Sequence, residues 1–183
     1  MTPTAFLADL TAATHALQRT VQTQLAPLGP AALNRRPAPT AWSAFECLEH
    51  LNRYARHYLP ALQTALATAP APTAPTAEAA VGYSWLGRKS VAMMRPANAK
   101  KQAALARLNP AGSPLDHRVL AEFGQHQTQL LALLAQAAGA DLNRKAVPVE
   151  FFRLLKLRLG EALEFVVVHE QRHVAQALRA AGV

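Results

Sequence analysis

The sequence predicts an all-α protein, a four-helix bundle with long crossover loops. Three observations carry that prediction. Four long stretches repeat apolar residues at helical spacing. Alanine and leucine fill them, isoleucine is absent, and the only valine cluster is Val166, Val167 and Val168. Several prolines fall between the stretches, as they do in the long crossings of helix bundles. At 183 residues the chain suits one domain with a sizeable core, so residues 1–183 are read as a single helical-bundle domain.

The first helix runs from about Thr4 to Leu25, with Phe6, Leu10, Ala13, Leu17, Val21 and Leu25 on one face; Pro27 and Gly29-Pro30 stop it. Ala31 to Thr40, with Pro37 and Pro39, reads as an extended connector. The second helix opens at Ser43. Glu46 three residues on gives a capping box, and Trp42 precedes the cap. It extends to about Ala67, with a kink or break expected near Tyr58–Leu59 because Pro60 lies inside it.

Residues 69–80 form a proline-rich loop of low complexity, and Tyr83 to Met94 has the look of a short helix. Pro96, Pro110 and Pro114 mark an irregular crossing. The third long helix spans about Leu115 to Ala138, with Leu120, Phe123, Leu130, Leu131 and Leu134, and Gly139 ends it. Pro148 to Leu157 is a mixed apolar and basic lead-in to the last helix, Gly160 to Ala181, closed by Gly182. Val147 to Phe152 has the composition of a short strand but no visible partner, and no hairpin signal stands out.

Composition bounds the function. Hydrophobic residues make up 51 % and charged residues 16 %, a globular balance. Met1 to Leu10 has no basic residue before its apolar positions, so no signal peptide is read there. Apolar runs such as Leu130 to Ala135 are too short to span a bilayer. The single cysteine, Cys47, excludes an internal disulfide framework and fits a reducing cytoplasm. These features lead us to expect a cytoplasmic protein with no membrane partner. The net charge of +8 and pI near 10.4 favour anionic partners. The basic residues are dispersed, however, and aromatics lie near only two of their groups, which argues against a nucleic-acid groove.

The chemistry lies in His169-Glu170-Gln171-Arg172-His173. Histidines at i and i+4 are about 40° apart around a helix and about 6 Å along it, so both can reach one ion. The string also matches the zinc-protease pattern H-E-x-x-H. Those proteases take a third ligand downstream, yet Val174 to Val183 contains no His, Asp, Glu or Cys, and no sheet is visible to line a cleft. The third ligand must come from upstream, and the best candidate is His50, in Trp42-Ser43-Ala44-Phe45-Glu46-Cys47-Leu48-Glu49-His50-Leu51.

These two phrases, W-S-x-x-E-x-L-x-H-L and H-E-x-R-H-x-x-Q ending at Gln176, resemble those of the DinB-like superfamily. The resemblance implies a four-helix bundle, often a homodimer, with three histidines holding a divalent metal such as zinc or nickel. Those positions fall on His50, His169 and His173. It further implies a metal-dependent transferase or hydrolase acting on a small molecule, thiol-linked in some members. A non-catalytic, stress-associated metal-binding bundle is the alternative.

Helical angles bear on the site separately. His50 lies about 60° outside the arc of Cys47, Leu48, Leu51, Ala55, Tyr58 and Leu62, and His169 and His173 flank the last helix's arc. Border positions predict a metal at the floor of a solvent-accessible cleft. Glu170 falls inside its arc, between Val166 and Val174, where an ionised carboxylate is costly. Three roles are open to it: orienting a ligand histidine, acting as a catalytic base beside the metal, or pairing with a buried arginine such as Arg53. His57 is about 10 Å along the helix from His50 and cannot share its ion. His15, His117 and His126 have no second ligand at useful spacing. Cys47 is read as a small buried thiol in preference to a ligand.

Overall fold

The computed structural model describes residues 1–68, 80–98, 104–112, 115–150 and 152–183. The chain is mostly helical, with a small two-stranded sheet. Thr2 caps α1 (Pro3–Thr20), whose axis continues through a π-turn, Val21–Leu25, as the first long stretch predicts. Gly29 and Pro30, read as a stop, are the cap and first residue of a short helix α2 (Pro30–Asn34), which seats Leu33 in the core. The expected extended connector therefore begins only after Asn34.

Helix α3 (Ala44–Ala67) starts from the capping box. Ser43 Oγ accepts the Glu46 N–H at 3.2 Å, and the Glu46 carboxylate accepts the Ser43 N–H at 2.9 Å. Replacing Ser43 by alanine is expected to cost about 1 kcal/mol, read as a lower urea midpoint; an unchanged midpoint would show the box to be idle. Pro60 does not break the helix. It lies on the exposed face, beside exposed Arg56, so the carbonyl it leaves unbonded can turn to water.

Helix α4 (Trp85–Met94) matches the predicted short helix, and a 3-10 turn, Ala106–Leu108, lies within the crossing. The proline-rich stretch 69–80 lies outside the described residues except for Ala80, as do 99–103 and 113–114 of the crossing. Helix α5 is Arg118–Ala137, and α6 is Leu159–Ala181, ended by Gly182 in the left-handed conformation at φ 83°. Between them the lead-in is a hairpin, correcting the sequence reading. Strand β1 (Lys145–Val149) pairs antiparallel with β2 (Phe152–Arg158), Val147 opposite Leu157, and buries Val147, Val149 and Leu157.

Helix α3 packs on α5 and α6, α1 on both of those, and α4 on α6. Because so many elements cover it, α6 is buried on all sides from Leu159 to Glu170. Among the described residues no helix is long and apolar enough to cross a membrane.

The core is in two parts. One apolar cluster holds Phe6, Leu10, Tyr58, Leu62, Leu130, Leu134, Leu163 and the hairpin valines. The other holds Leu17, Leu25, Phe45, Leu48, Phe123, Val174 and Ala177. Between them, each long helix contributes buried polar residues: Thr14 on α1, His50 and Asn52 on α3, Gln127 on α5, and His169 and Glu170 on α6. Such a layer is costly unless its groups are satisfied, so its chemistry needs an explanation.

Candidate metal centre

The polar layer contains one cluster of three potential metal ligands among the described residues: His50, His169 and His173, with one ring nitrogen from each within 4.8 Å of the others. The cap at Ser43 fixes where α3 begins and so places His50 two turns in; the i, i+4 spacing on α6 supplies the other two rings. Ring centroids are 5.1 Å apart for His50 and His169, 4.6 Å for His50 and His173, and 4.7 Å for His169 and His173. The three histidines expected from the sequence are brought together.

Their protons can be assigned from their partners. His50 Nδ1 lies 2.8 Å from the Leu108 carbonyl, which can only accept, so Nδ1 carries the hydrogen. In the neutral ring Nε2 is then a bare lone pair, and it points at His169 Nε2, 3.3 Å away. His173 Nδ1 donates in the same way to Gln176 Oε1 at 3.0 Å, freeing its Nε2. Burial keeps all three rings neutral. It lowers the His50 imidazole to about 4, and together with the neighbouring His50 ring it brings that of His173 down to about 3. His169, the most enclosed, is held well below the usual histidine range by burial and then by the other two rings.

These residues fit a divalent ion. In tetrahedral coordination at a metal–nitrogen distance of about 2.05 Å, two ligand nitrogens stand about 3.3 Å apart, which is the separation of His50 Nε2 and His169 Nε2. Three neutral imidazoles without thiolate or carboxylate suit a transition metal better than calcium or magnesium, which take oxygen ligands.

The surroundings depart from the expected open cleft. His50 and His169 are each only 3 % exposed, and only His173 is half-buried. Trp42 packs on His50 and His173 at 4.7 and 5.8 Å, Tyr54 on His50 and His169 at 4.9 and 4.3 Å, and Phe165 on His169 at 5.8 Å. The segment around Leu108 covers His50 from outside the helix pair. A helical wheel cannot show such cover, because it arrives from distant sequence. Burial pushes the Tyr54 phenol up to about 12, so it stays protonated.

Glu170 is in the same layer but has different partners. It is buried and takes one hydrogen bond among the described residues, from Gln127 Nε2 on α5 at 3.0 Å. Arg53 is not its partner, contrary to one of the three sequence readings: Arg53 turns outward to Glu49, at 2.9 Å. Burial without a cation raises the Glu170 carboxyl to about 8. Sequence reasoning missed Gln127, Leu108 and the role of Gln176. Only Gln176 carried a signal, as the last residue of the H-E-x-R-H-x-x-Q phrase.

The remaining histidines stand apart. His57 packs edge-on to Tyr58, His126 lies against Asn52 and Glu122, His117 reaches the Leu28 carbonyl, and His15 is exposed. Cys47 is fully buried in the second apolar cluster, its thiol pushed up to about 12 by burial, so it is a packing residue.

Comparison with known families agrees with this geometry: the family model of the DinB superfamily matches residues 12–177. No curated protein and no solved structure matches the chain.

Proposed function

The chain belongs to the DinB superfamily, and from that membership we propose that its helical bundle holds one zinc or nickel ion on His50, His169 and His173 for transfer or hydrolysis of a small molecule. The observation that supports it most is the convergence of neutral ring nitrogens, two of the three rings being held by an acceptor at Nδ1. Such an ion supplies Lewis acidity when bound, and three protein ligands leave it a position for substrate. The protein's own residues have separable tasks. Leu108 and Gln176 fix the tautomers of His50 and His173. Trp42, Tyr54 and Phe165 keep water from the rings, and half-buried His173 marks the side open to an incoming molecule. We assign Glu170 to the buried layer in preference to a catalytic base, since Gln127 holds it. The basic surface favours an acidic substrate.

The deep burial of His50 and His169 supports a second reading, in which the ion mainly ties α3 to α6. One experiment separates the two. The zinc- or nickel-loaded protein is assayed against thiol conjugates and esters, and its melting temperature is followed through chelation. An enzyme is expected to turn over at least one substrate class, to lose that activity in His50→Ala, and to melt only slightly lower without metal. A large fall in melting temperature with no turnover supports the tie.

A further inference from the structure

Residues 104–112 run across the outside of α3 as a strap, and α3 grips that strap at the level of the histidines. Arg53 Nη1 donates to the Asn109 carbonyl at 2.9 Å and to the Arg107 carbonyl at 3.4 Å, one on each side of Leu108. The Leu108 carbonyl between them accepts from His50 Nδ1. Glu49, one residue before His50, orients the guanidinium through Nε at 2.9 Å. Arg107, next to Leu108, is also tied to the Glu150 carboxylate at 2.6 Å, and Gly112 N–H at the far end to Glu46 at 3.1 Å, so the strap has two further ties.

We infer that Arg53 is a positioning residue for the metal site: by holding the carbonyls that flank Leu108, it presents the Leu108 carbonyl to His50 and sets that ring in the tautomer whose Nε2 is bare. The inference rests on the metal reading above and adds a residue that touches neither the ion nor the rings. Without Arg53 and held only by the Arg107 and Gly112 ties, the Leu108 carbonyl is a less constant partner for His50, and the imidazole then divides its proton between two nitrogens. A ring protonated at Nε2 must lose that proton before it can ligate. The apparent metal constant weakens by the inverse of the fraction of His50 whose Nε2 is bare, about twofold for an evenly divided ring.

The test uses the full chain. Long-range proton–nitrogen NMR of the metal-free protein reads the His50 tautomer, and zinc affinity is measured by chelator competition. Wild type is expected to show His50 protonated at Nδ1 alone. Arg53→Met is expected to give mixed tautomers and a zinc constant about two- to fivefold weaker, the inverse of the fraction left protonated at Nδ1. Arg53→Lys, which keeps one donor group, is expected to recover part of both. Arg56→Met is the control for charge on α3: Arg56 shares Glu49 with Arg53 and pairs with Glu122 but makes no contact with the strap among the described residues, so both readouts move less than in Arg53→Met. Equal losses in Arg53→Met and Arg56→Met overturn the inference, because the effect is then one of charge on α3. A wild-type His50 protonated at Nε2 overturns it whatever the variants do, including an Arg53→Met that fails to fold. If wild type takes up no zinc, the metal reading falls. If wild type takes up zinc and Arg53→Met matches it, only the positioning role falls.

Discussion

His169→Ala is expected to weaken zinc binding by about a thousandfold while the chain still folds. His169 is as deeply buried as His50, and its Nε2 meets His50 Nε2 at the ligand-to-ligand distance. Protein zinc sites bind with about 12 kcal/mol, and losing one of three ligands forfeits roughly a third, ~4 kcal/mol. His50 and His173 alone then present two nitrogens and no closed face. The rise in melting temperature that zinc binding would give wild type is expected to vanish at the same zinc concentration. Chelator competition gives the constant, and far-UV circular dichroism shows that the helices remain. A constant within about tenfold of wild type would mean that the ion, if any, sits elsewhere.

Glu170→Gln is expected to stabilise the metal-free protein, and increasingly so as pH rises. Burial raises the folded carboxyl to about 8 from an ordinary value of 4.5. Between those values the unfolded chain has released the proton and the folded chain keeps it. Folding then takes up a proton, so stability falls with rising pH, by roughly 1.4 kcal/mol per unit, and levels off above about 8. The gain from the substitution is therefore absent near pH 4.5 and on the order of a few kcal/mol at pH 8.

Two orphaned atoms support a neutral acid here. Among the described residues Glu170 Oε2 and Gln127 Oε1 are both buried without a hydrogen-bond partner, and both are acceptors of the same pair when Glu170 is ionised. A proton on Glu170 supplies the missing donor, and a glutamine amide at 170 supplies one at every pH. Urea denaturation from pH 4.5 to 8.5 in a chelator reads the difference. A constant gap between variant and wild type would show that Glu170 does not titrate in this range.

What could be read from the sequence was local. Ser43 with Glu46 and the pair His169 and His173 are defined by spacings within one helix, and all of them are found as expected. Pairing His50 with them needed a long-range link that spacing cannot give; the resemblance of the two phrases supplied it. The hairpin stayed hidden because the sequence between Val149 and Phe152 contains no turn-forming residue, and Phe152–Arg158 is too rich in leucine and basic residues to alternate cleanly. Pro60 misled in the other direction: its cost depends on where the freed carbonyl points, which the sequence alone does not say. The Leu108 carbonyl is backbone and has no signature at all. Gln127 is one of several glutamines on its helix, and only the packing of α5 on α6 gives it significance.

The account depends most on the claim that the three imidazoles share one ion. Elemental analysis of freshly purified protein, alongside the His50→Ala, His169→Ala, His173→Ala triple variant, measures that directly. One zinc or nickel per chain in wild type and none in the folded triple variant is the predicted result. A wild type free of metal, or a triple variant carrying as much as wild type, would contradict it.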